Sequence, residues 1–239
     1  MRFGTYHVFQ CPPGQEPGRV EALDVILRAW SGTELSYEGR YFRIPTVRIW
    51  PAPVQAPGSV LLHAVNSPES MARAIERGLP ALMARPLSPF AEQVAEFARY
   101  REALVAAGVD PAPVLARATV LKYAFLAHTR AAAHELPRAA LEWDLGILQH
   151  LTTPTTTAMP RGYELYEKRG GRLPDYSYDN WLQNVLLFDD PAGCIDKLTM
   201  LRAAGVERVL LWMGPGGVAH DLVVRSMRLF AEQVMPHFH

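Results

Sequence analysis

The sequence predicts an α/β fold in which short parallel strands alternate with helices. Three observations support this prediction: apolar β-prone runs recur along the chain, helical patterns follow them, and three of these helices have polar and proline residues at the start and glycine at the end. Such alternation is typical of βαβ units and a mostly parallel sheet. Five strands are expected, over residues 2–9, 60–65, 81–84, 118–127 and 208–213.

The N-terminal quarter of the chain contains a strand, a helix and a turn. The strand over residues 2–9 precedes a stretch rich in proline and glycine, and then a short helix that begins near Glu21. Residues 37–42 are typical of a turn between two short extended segments. Three prolines within residues 51–57 predict a rigid linker, because proline fixes its own backbone angle and excludes helix.

After the linker, the helices share one pattern at their two ends. Ser or Asp followed by Pro favours a helix start, and Gly favours the position just beyond the helix end. Helices are therefore predicted to begin at Ser67-Pro68, Ser88-Pro89 and Asp190-Pro191 and to end at Gly78, Gly108 and Gly205. A last helix is predicted from about Asp221 to Met235, with its apolar residues along one stripe.

Composition and charge exclude several classes of function. The 239 residues include 24 basic and 24 acidic side chains, so a partner bound by net charge, such as nucleic acid or a membrane surface, is not expected. No apolar run approaches the roughly 18 residues of a spanning helix, and Met1 opens directly onto a strand. Cys11 and Cys194 suggest neither a disulfide framework nor a metal site, so a reducing cytoplasm is expected. We also expect one domain over residues 1–239.

Several segments carry a resemblance to a known family. They are Arg2-Phe3-Gly4, Leu35 to Phe42, Pro51 to Pro57, Asn66 to Ser70, Gly216 to Asp221 and Met235-Pro236. The matches are collinear from about residue 21 to the end, and through them the sequence resembles the bacterial luciferase-like flavin-dependent monooxygenases. The resemblance implies a TIM-type (β/α) barrel, here incomplete. About three strand–helix units are missing after strand 1, which agrees with five predicted strands instead of eight.

The missing units bear on function. In the family they carry a paired-histidine motif, with one histidine at the reactive edge of the flavin, and an arginine that helps to hold the flavin phosphate. This chain has no His-His pair. The resemblance implies an FMN-dependent monooxygenase that acts on a small apolar substrate with O₂, and reduced FMN is expected from a separate reductase because no GxGxxG motif is present. The alternative is a non-catalytic flavin-binding or accessory subunit related to luciferases.

The strongest local signal for a cofactor site is the segment Asn66-Ser67-Pro68-Glu69-Ser70. It lies at the carboxyl end of a predicted strand and opens a helix, where backbone N–H groups and the helix dipole favour an anion. The resemblance implies that the FMN phosphate binds here, with Asn66, Ser67 and Ser70 as cofactor-binding residues. The alternative is that Ser67 only caps the helix.

Two glycines and two histidines complete the candidate site. Gly216 and Gly217 follow the last predicted strand, where glycine permits close approach to a ligand, and they are predicted to bind the cofactor. The alternative for them is a tight turn. His7 and His63 lie within predicted strands and are the candidate catalytic residues, the alternative being histidines of the core.

An incomplete parallel sheet has a consequence for assembly. Its edges carry unpaired backbone groups and its faces are apolar, so both need covering. We therefore expect a homo- or hetero-oligomer that binds flavin and a small apolar substrate.

Overall fold

A computed structural model describes residues 16–56, 61–152 and 178–238 of the chain. The predicted strand over residues 2–9, which includes His7, lies outside the described residues. The chain separates into two compact units, of which the first includes residues 16–56 and the second includes residues 62–152 and 178–238. Each unit is described by itself, and a single domain over residues 1–239 stays a prediction.

The first unit contains a helix and a two-stranded antiparallel hairpin. Helix α1 spans Glu16–Ala29, strand β1 spans Leu35–Glu38 and strand β2 spans Arg43–Val47. The Glu21 carboxylate of α1 accepts hydrogen bonds from the backbone N–H groups of Tyr41 (3.1 Å) and Phe42 (3.1 Å) in the turn between the strands. The turn predicted over residues 37–42 is therefore confirmed, and α1 holds it through a buried acid.

The second unit alternates strands and helices, as the sequence predicts. In chain order its elements are β3 (His63–Val65), α2 (Pro68–Glu76), β4 (Ala81–Met83), α3 (Phe90–Ala106), α4 (Pro111–Leu115), β5 (Thr119–Leu126), α5 (Arg130–Glu135), α6 (Arg138–Thr152), α7 (Tyr178–Asn184), β6 (Leu187–Asp189), α8 (Pro191–Ala203), β7 (Arg208–Trp212), α9 (His220–Gln233) and a 3₁₀ turn (Met235–Phe238). In the described part of the chain, no helix combines the length and the apolar content of a membrane span.

All strand pairs of the second unit are parallel. Strand β4 lies between β3 and β5, β7 pairs with the first five residues of β5, and β6 pairs with the last three. This confirms the predicted α/β class and four of the five predicted strands. The described strands do not close into a barrel. The sequence pattern does not predict β6, because three residues directly before a helix start show no periodicity.

All three predicted helix starts are confirmed to within one residue, and two of the three predicted caps are confirmed. Ser67 caps α2 and Asp190 caps α8, each with a side-chain oxygen that accepts the backbone N–H three residues further on. The prediction of Ser88 as the cap of α3 is wrong. The N-cap residue is Pro89, which makes no side-chain cap bond, while Ser88 is buried and its carbonyl accepts a hydrogen bond from Lys122 Nζ. Core packing therefore decides the conformation at this helix start.

The strand register divides the parallel sheet into two faces. His63 pairs with Ala81 and Val65 pairs with Met83, which itself pairs with Val120, so these residues share one face. Helices α2, α3, α8 and α9 cover this face and complete the larger apolar core. We call it the outer face, because helices lie on the outside of a (β/α) barrel.

The opposite face, called the inner face below, has a separate apolar cluster. Tyr123 and Phe125 of β5 and Phe188 of β6 lie on it. Leu141 of α6 and Trp181 of α7 pack against these aromatic residues, and all five are buried. Helices α6 and α7 therefore cover the carboxyl half of β5 on the face that lies inside a closed barrel.

Candidate cofactor and active site

The carboxyl ends of the parallel strands form the edge where the predicted cofactor residues lie. In parallel α/β sheets, ligands bind at this edge because loops and helix starts converge there. Residues 66–70 follow β3, and residues 213–219 follow β7. Because β4 and β5 lie between β3 and β7, the two groups are about 14 Å apart at the usual strand spacing. The structure thus places both groups at one edge without bringing them into contact.

Ser67 and Ser70 form a reciprocal cap at the start of α2. The Ser70 N–H donates to Ser67 Oγ (3.3 Å), and Ser70 Oγ accepts from the backbone N–H groups of Asn66 (3.0 Å) and Ser67 (2.9 Å). Pro68 occupies the first helical turn, where an N–H group would lack a helical partner in any case. The helix cap is therefore confirmed, and the two hydroxyls already have partners within the chain, while cofactor binding by these residues stays a prediction.

Asn66 joins the ends of two strands. With its amide oriented to suit both neighbours, Nδ2 donates to the carbonyl oxygens of Val65 (3.1 Å) and Ala84 (3.2 Å). These carbonyls lie at the carboxyl ends of β3 and β4. Asn66 therefore links the end of β3 and the loop after β4 at the point where α2 begins.

The start of α2 also carries an acidic residue. Glu69 lies in the first turn of the helix with its side chain exposed, and hydrogen-bond donors at this helix start, that of Ser67 first, lower the pKa of its carboxyl. The lowered pKa agrees with the general preference of a helix start for negative charge, which is the property that a phosphate site requires. The exposed first turn of α2 and the Ser67 hydroxyl fit a phosphate group.

His63 lies on the outer face of the sheet, on the side of the covering helices. Burial lowers the pKa of its imidazole, and the positive charges of Arg73 and Arg77 on α2 lower it further. The strand register directs the His63 side chain away from the inner face. Its catalytic role stays a prediction that its position does not favour. The other candidate, His7, lies outside the described residues.

Gly216 and Gly217 both adopt left-handed backbone conformations, with φ of 54° and 87°. A Cβ on Gly216 would overlap the Ala140 carbonyl oxygen and lie 2.9 Å from Asp144 Cβ, and both neighbours belong to α6. A Cβ on Gly217 would have no atom within 4 Å. At Gly216, the absence of a side chain therefore allows the backbone of the loop to pack closely against α6. At Gly217 the backbone is open to a ligand.

The inner face carries a polar and aromatic group that the sequence does not single out as a unit. Tyr123 of β5 stacks on Trp212 of β7, with ring centroids 4.9 Å apart and an interplanar angle of 27°. The Tyr123 hydroxyl donates to Asp144 Oδ2 of α6 (3.0 Å). Burial, and then the charge of Asp144, raise the pKa of Tyr123. The phenol is therefore a fixed hydrogen-bond donor that keeps its proton at any physiological pH.

A buried lysine joins the loop that follows β4 to the loop that precedes β6. Lys122 of β5 is fully buried, and its Nζ donates to the carbonyl oxygens of Ser88, after β4, and of Val185, before β6 (3.0 Å to the latter). Its ammonium group lies 4.1 Å from the ring centroid of Phe90. Burial, and then the charge of Lys197, lower the pKa of Lys122 to about 7. Alternation along the strand places Lys122 on the outer face, but the sequence does not reveal its two carbonyl partners.

A second ionic group lies at the end of β6. Asp189 is buried and contacts Arg130 Nε (2.7 Å) and Lys197 Nζ (3.1 Å). Burial alone would raise the pKa of Asp189, but the hydrogen bonds from Arg130 and Lys197 outweigh it and the pKa is lowered. Asp189, Arg130 and Lys197 therefore form a structural ionic group. Within the described ranges, no three His, Cys, Asp or Glu side chains are grouped as metal ligands.

Comparison with solved structures supports the fold. The chain resembles the monooxygenase RslO1 from Streptomyces bottropensis (19% identity, TM-score 0.60, 95% of this chain and 63% of that one). It also resembles the coenzyme F420 dependent tetrahydromethanopterin reductase from Methanopyrus kandleri (17% identity, TM-score 0.59, 92% of this chain and 63% of that one). A third similar structure is the oxygenating constituent of 3,6-diketocamphane monooxygenase from Pseudomonas putida, in complex with FMN (20% identity, TM-score 0.55, 92% of this chain and 62% of that one). The chain spans less than two thirds of the length of each.

Comparison at the level of sequence identifies the family. No curated protein matches the chain. The family model of the luciferase-like monooxygenases matches residues 13–208, which is most of the chain. The parallel sheet, its open form among the described residues and the shorter length relative to the solved structures agree with an incomplete barrel of this kind. The chain therefore belongs to the luciferase-like monooxygenase family.

Proposed function

We propose that this chain is a flavin-dependent monooxygenase that binds FMN at the carboxyl edge of its parallel sheet. The observation that carries the proposal is the start of α2, which follows the carboxyl end of β3 and presents the Ser67 hydroxyl and the first helical turn, a position that favours an oxyanion. Family membership supports a flavin, and one structural neighbour was solved with FMN. The reduced cofactor comes from a separate reductase.

The residues at the start of α2 have distinct roles in this proposal. Ser67 donates its hydroxyl hydrogen to the phosphate in place of Ser70 Oγ, which accepts it in the structure. Ser70 and Asn66 hold the loop in place through their backbone and amide hydrogen bonds. Gly217, with open space beside it, and Gly216 line the other end of the same edge. When bound, reduced FMN supplies two electrons, with which one atom of O₂ enters a small apolar substrate and the other leaves as water.

A specific observation favours a second candidate function, that of a non-catalytic flavin-binding or accessory subunit. Among the described residues, His63 faces the covering helices and the inner face of β5 is covered by α6 and α7. General acid–base groups contribute roughly 10²–10⁴-fold to catalysis, so a chain without such a group at the flavin would be a poor catalyst. His7 is the remaining candidate for that group.

Assembly belongs to the same proposal. Within the described ranges, β3 and β7 each have one pairing edge without a partner strand. We infer that a second subunit, either identical or a longer relative, covers part of this surface. The buried free thiol of Cys194 agrees with a reducing compartment such as the cytoplasm.

One experiment separates the two candidate functions. The purified chain is mixed anaerobically with reduced FMN, then with O₂ and a medium-chain aldehyde, and the yields of carboxylic acid and hydrogen peroxide are measured. A monooxygenase gives acid in proportion to the FMN oxidised. Peroxide without acid supports the accessory role when addition of a longer family member restores the acid. If FMN does not bind, both candidates are excluded.

A further inference from the structure

A tryptophan at the carboxyl edge is unusually exposed for a residue of the central sheet. Trp212 is the last residue of β7, and its pairing with Tyr123 places it on the inner face. Tyr123 is only 2 % exposed, whereas Trp212 is 43 % exposed. The stack on Tyr123 covers one face of the indole and leaves a large apolar surface open. Exposed aromatic surface at a ligand-binding edge is typical of a recognition site.

The indole is held in a fixed orientation by two successive contacts. It stacks on the Tyr123 ring at 4.9 Å, and the Tyr123 hydroxyl is fixed by Asp144 of α6. Helix α6 is in turn fixed by its contact with the backbone of Gly216, in the loop that follows Trp212. A rigid aromatic surface loses little conformational freedom when a second ring packs on it, which is the usual reason for such preorganisation.

The loop that follows Trp212 has open space at one of its glycines. A Cβ on Gly217, five residues after Trp212, would meet no atom within 4 Å. We propose that Trp212, supported by Tyr123 and Asp144, is the surface on which a planar aromatic ring system of the ligand stacks. The ring belongs either to the flavin, in which case the inference rests on the function proposed above, or to an aromatic substrate.

Binding of rings that lack a phosphate tests this inference directly. Lumiflavin represents the flavin ring, naphthaldehyde represents an aromatic substrate, and FMN is titrated in parallel, with affinities obtained by equilibrium dialysis. The variants are Trp212→Leu, Trp212→Phe and the control Trp50→Leu. Trp50 is also exposed and also stacked, in its case under the Arg48 guanidinium at 4.4 Å, but it belongs to the other unit.

We expect Trp212→Leu to weaken binding of one ring by about three- to tenfold, the usual range for an aromatic stack, while Trp212→Phe keeps most of the affinity and Trp50→Leu keeps all of it. Loss of lumiflavin affinity assigns the surface to the flavin, and loss of naphthaldehyde affinity alone assigns it to the substrate. Unchanged affinity for both rings, or an equal loss in Trp50→Leu, overturns the proposal.

A second measurement does not depend on the folding of the leucine variant. Stacking on an indole quenches flavin emission, so lumiflavin bound to the wild-type chain is expected to be dimmer than lumiflavin bound to Trp212→Phe. Equal emission excludes the flavin ring as the occupant. If the wild-type chain and Trp212→Leu bind FMN equally well and also bind naphthaldehyde equally well, the stacking inference fails while the proposed function stands. If naphthaldehyde binds through Trp212 and no flavin binds, the proposed function fails while the stacking inference stands.

Discussion

Replacement of Gly216 by alanine distinguishes a glycine that packs against α6 from one that faces a ligand. Two costs add at this position. The backbone φ of 54° is left-handed, which costs a non-glycine residue about 1–2 kcal/mol. The new Cβ also overlaps the Ala140 carbonyl and approaches Asp144 Cβ to 2.9 Å, and overpacking of this kind costs about 1–3 kcal/mol. We expect Gly216→Ala to lower the free energy of unfolding by about 2–5 kcal/mol.

The matched control is Gly217→Ala, in the same loop. Its φ of 87° brings the same kind of backbone cost, but the new Cβ would meet no atom within 4 Å. Its loss of stability is therefore expected to be only about 1–2 kcal/mol. Urea unfolding of both variants and the wild type, followed by circular dichroism, measures the difference. Equal losses in the two variants would refute the packing of Gly216 on α6.

Three further predictions concern the helix start and the buried lysine. Ser67→Ala combined with Ser70→Ala should weaken FMN binding at least about tenfold by isothermal titration, since a hydrogen bond to a charged group contributes about 1.5–3 kcal/mol, and unchanged affinity would leave the serines as a cap only. Glu69→Gln should strengthen FMN binding, because it removes a negative charge from the first turn of α2, where the phosphate is proposed to bind, and weaker binding would show that Glu69 helps to hold the cofactor. Lys122 has its pKa lowered to about 7, so the unfolded chain binds the extra proton between pH 7 and 10.5 and stability should rise with pH over that window. Lys122→Met should abolish this rise in urea unfolding, and an identical pH profile in the variant would contradict the assigned burial.

The parallel sheet is predictable because each of its main strands is a distinct apolar run. The runs at residues 81–84 and 118–127 are buried almost throughout, and such runs between helix patterns indicate central parallel strands. The caps at Ser67 and Asp190 were predictable from side-chain chemistry alone, since both residues accept backbone hydrogen bonds at helix starts. Ser88 shows the limit of that rule, because its Ser-Pro pattern is the same but its carbonyl is engaged by Lys122.

The candidate site is only partly predictable, because its contacts join distant segments. Tyr123 and Trp212 are 89 positions apart, and only the register between β5 and β7 brings them together. Asp144 lies on α6, a helix that the sequence pattern does not indicate. The sequence identifies the segment from Asn66 to Ser70 as a helix start that favours an anion, but it does not reveal that the Ser67 hydroxyl and backbone N–H both donate to Ser70 Oγ. The sequence motifs therefore indicate that the site lies at the carboxyl ends of the strands, whereas the contacts between its side chains depend on how distant segments pair in the fold.

Binding of FMN compared with riboflavin tests the central claim most directly. The two ligands share the flavin ring and differ by the phosphate group, which the start of α2 is proposed to hold. We predict saturable binding of one FMN per chain and at least about tenfold weaker binding of riboflavin, because one or two hydrogen bonds to a charged group are lost. Equal affinities for the two flavins, or no binding of either, would contradict the account.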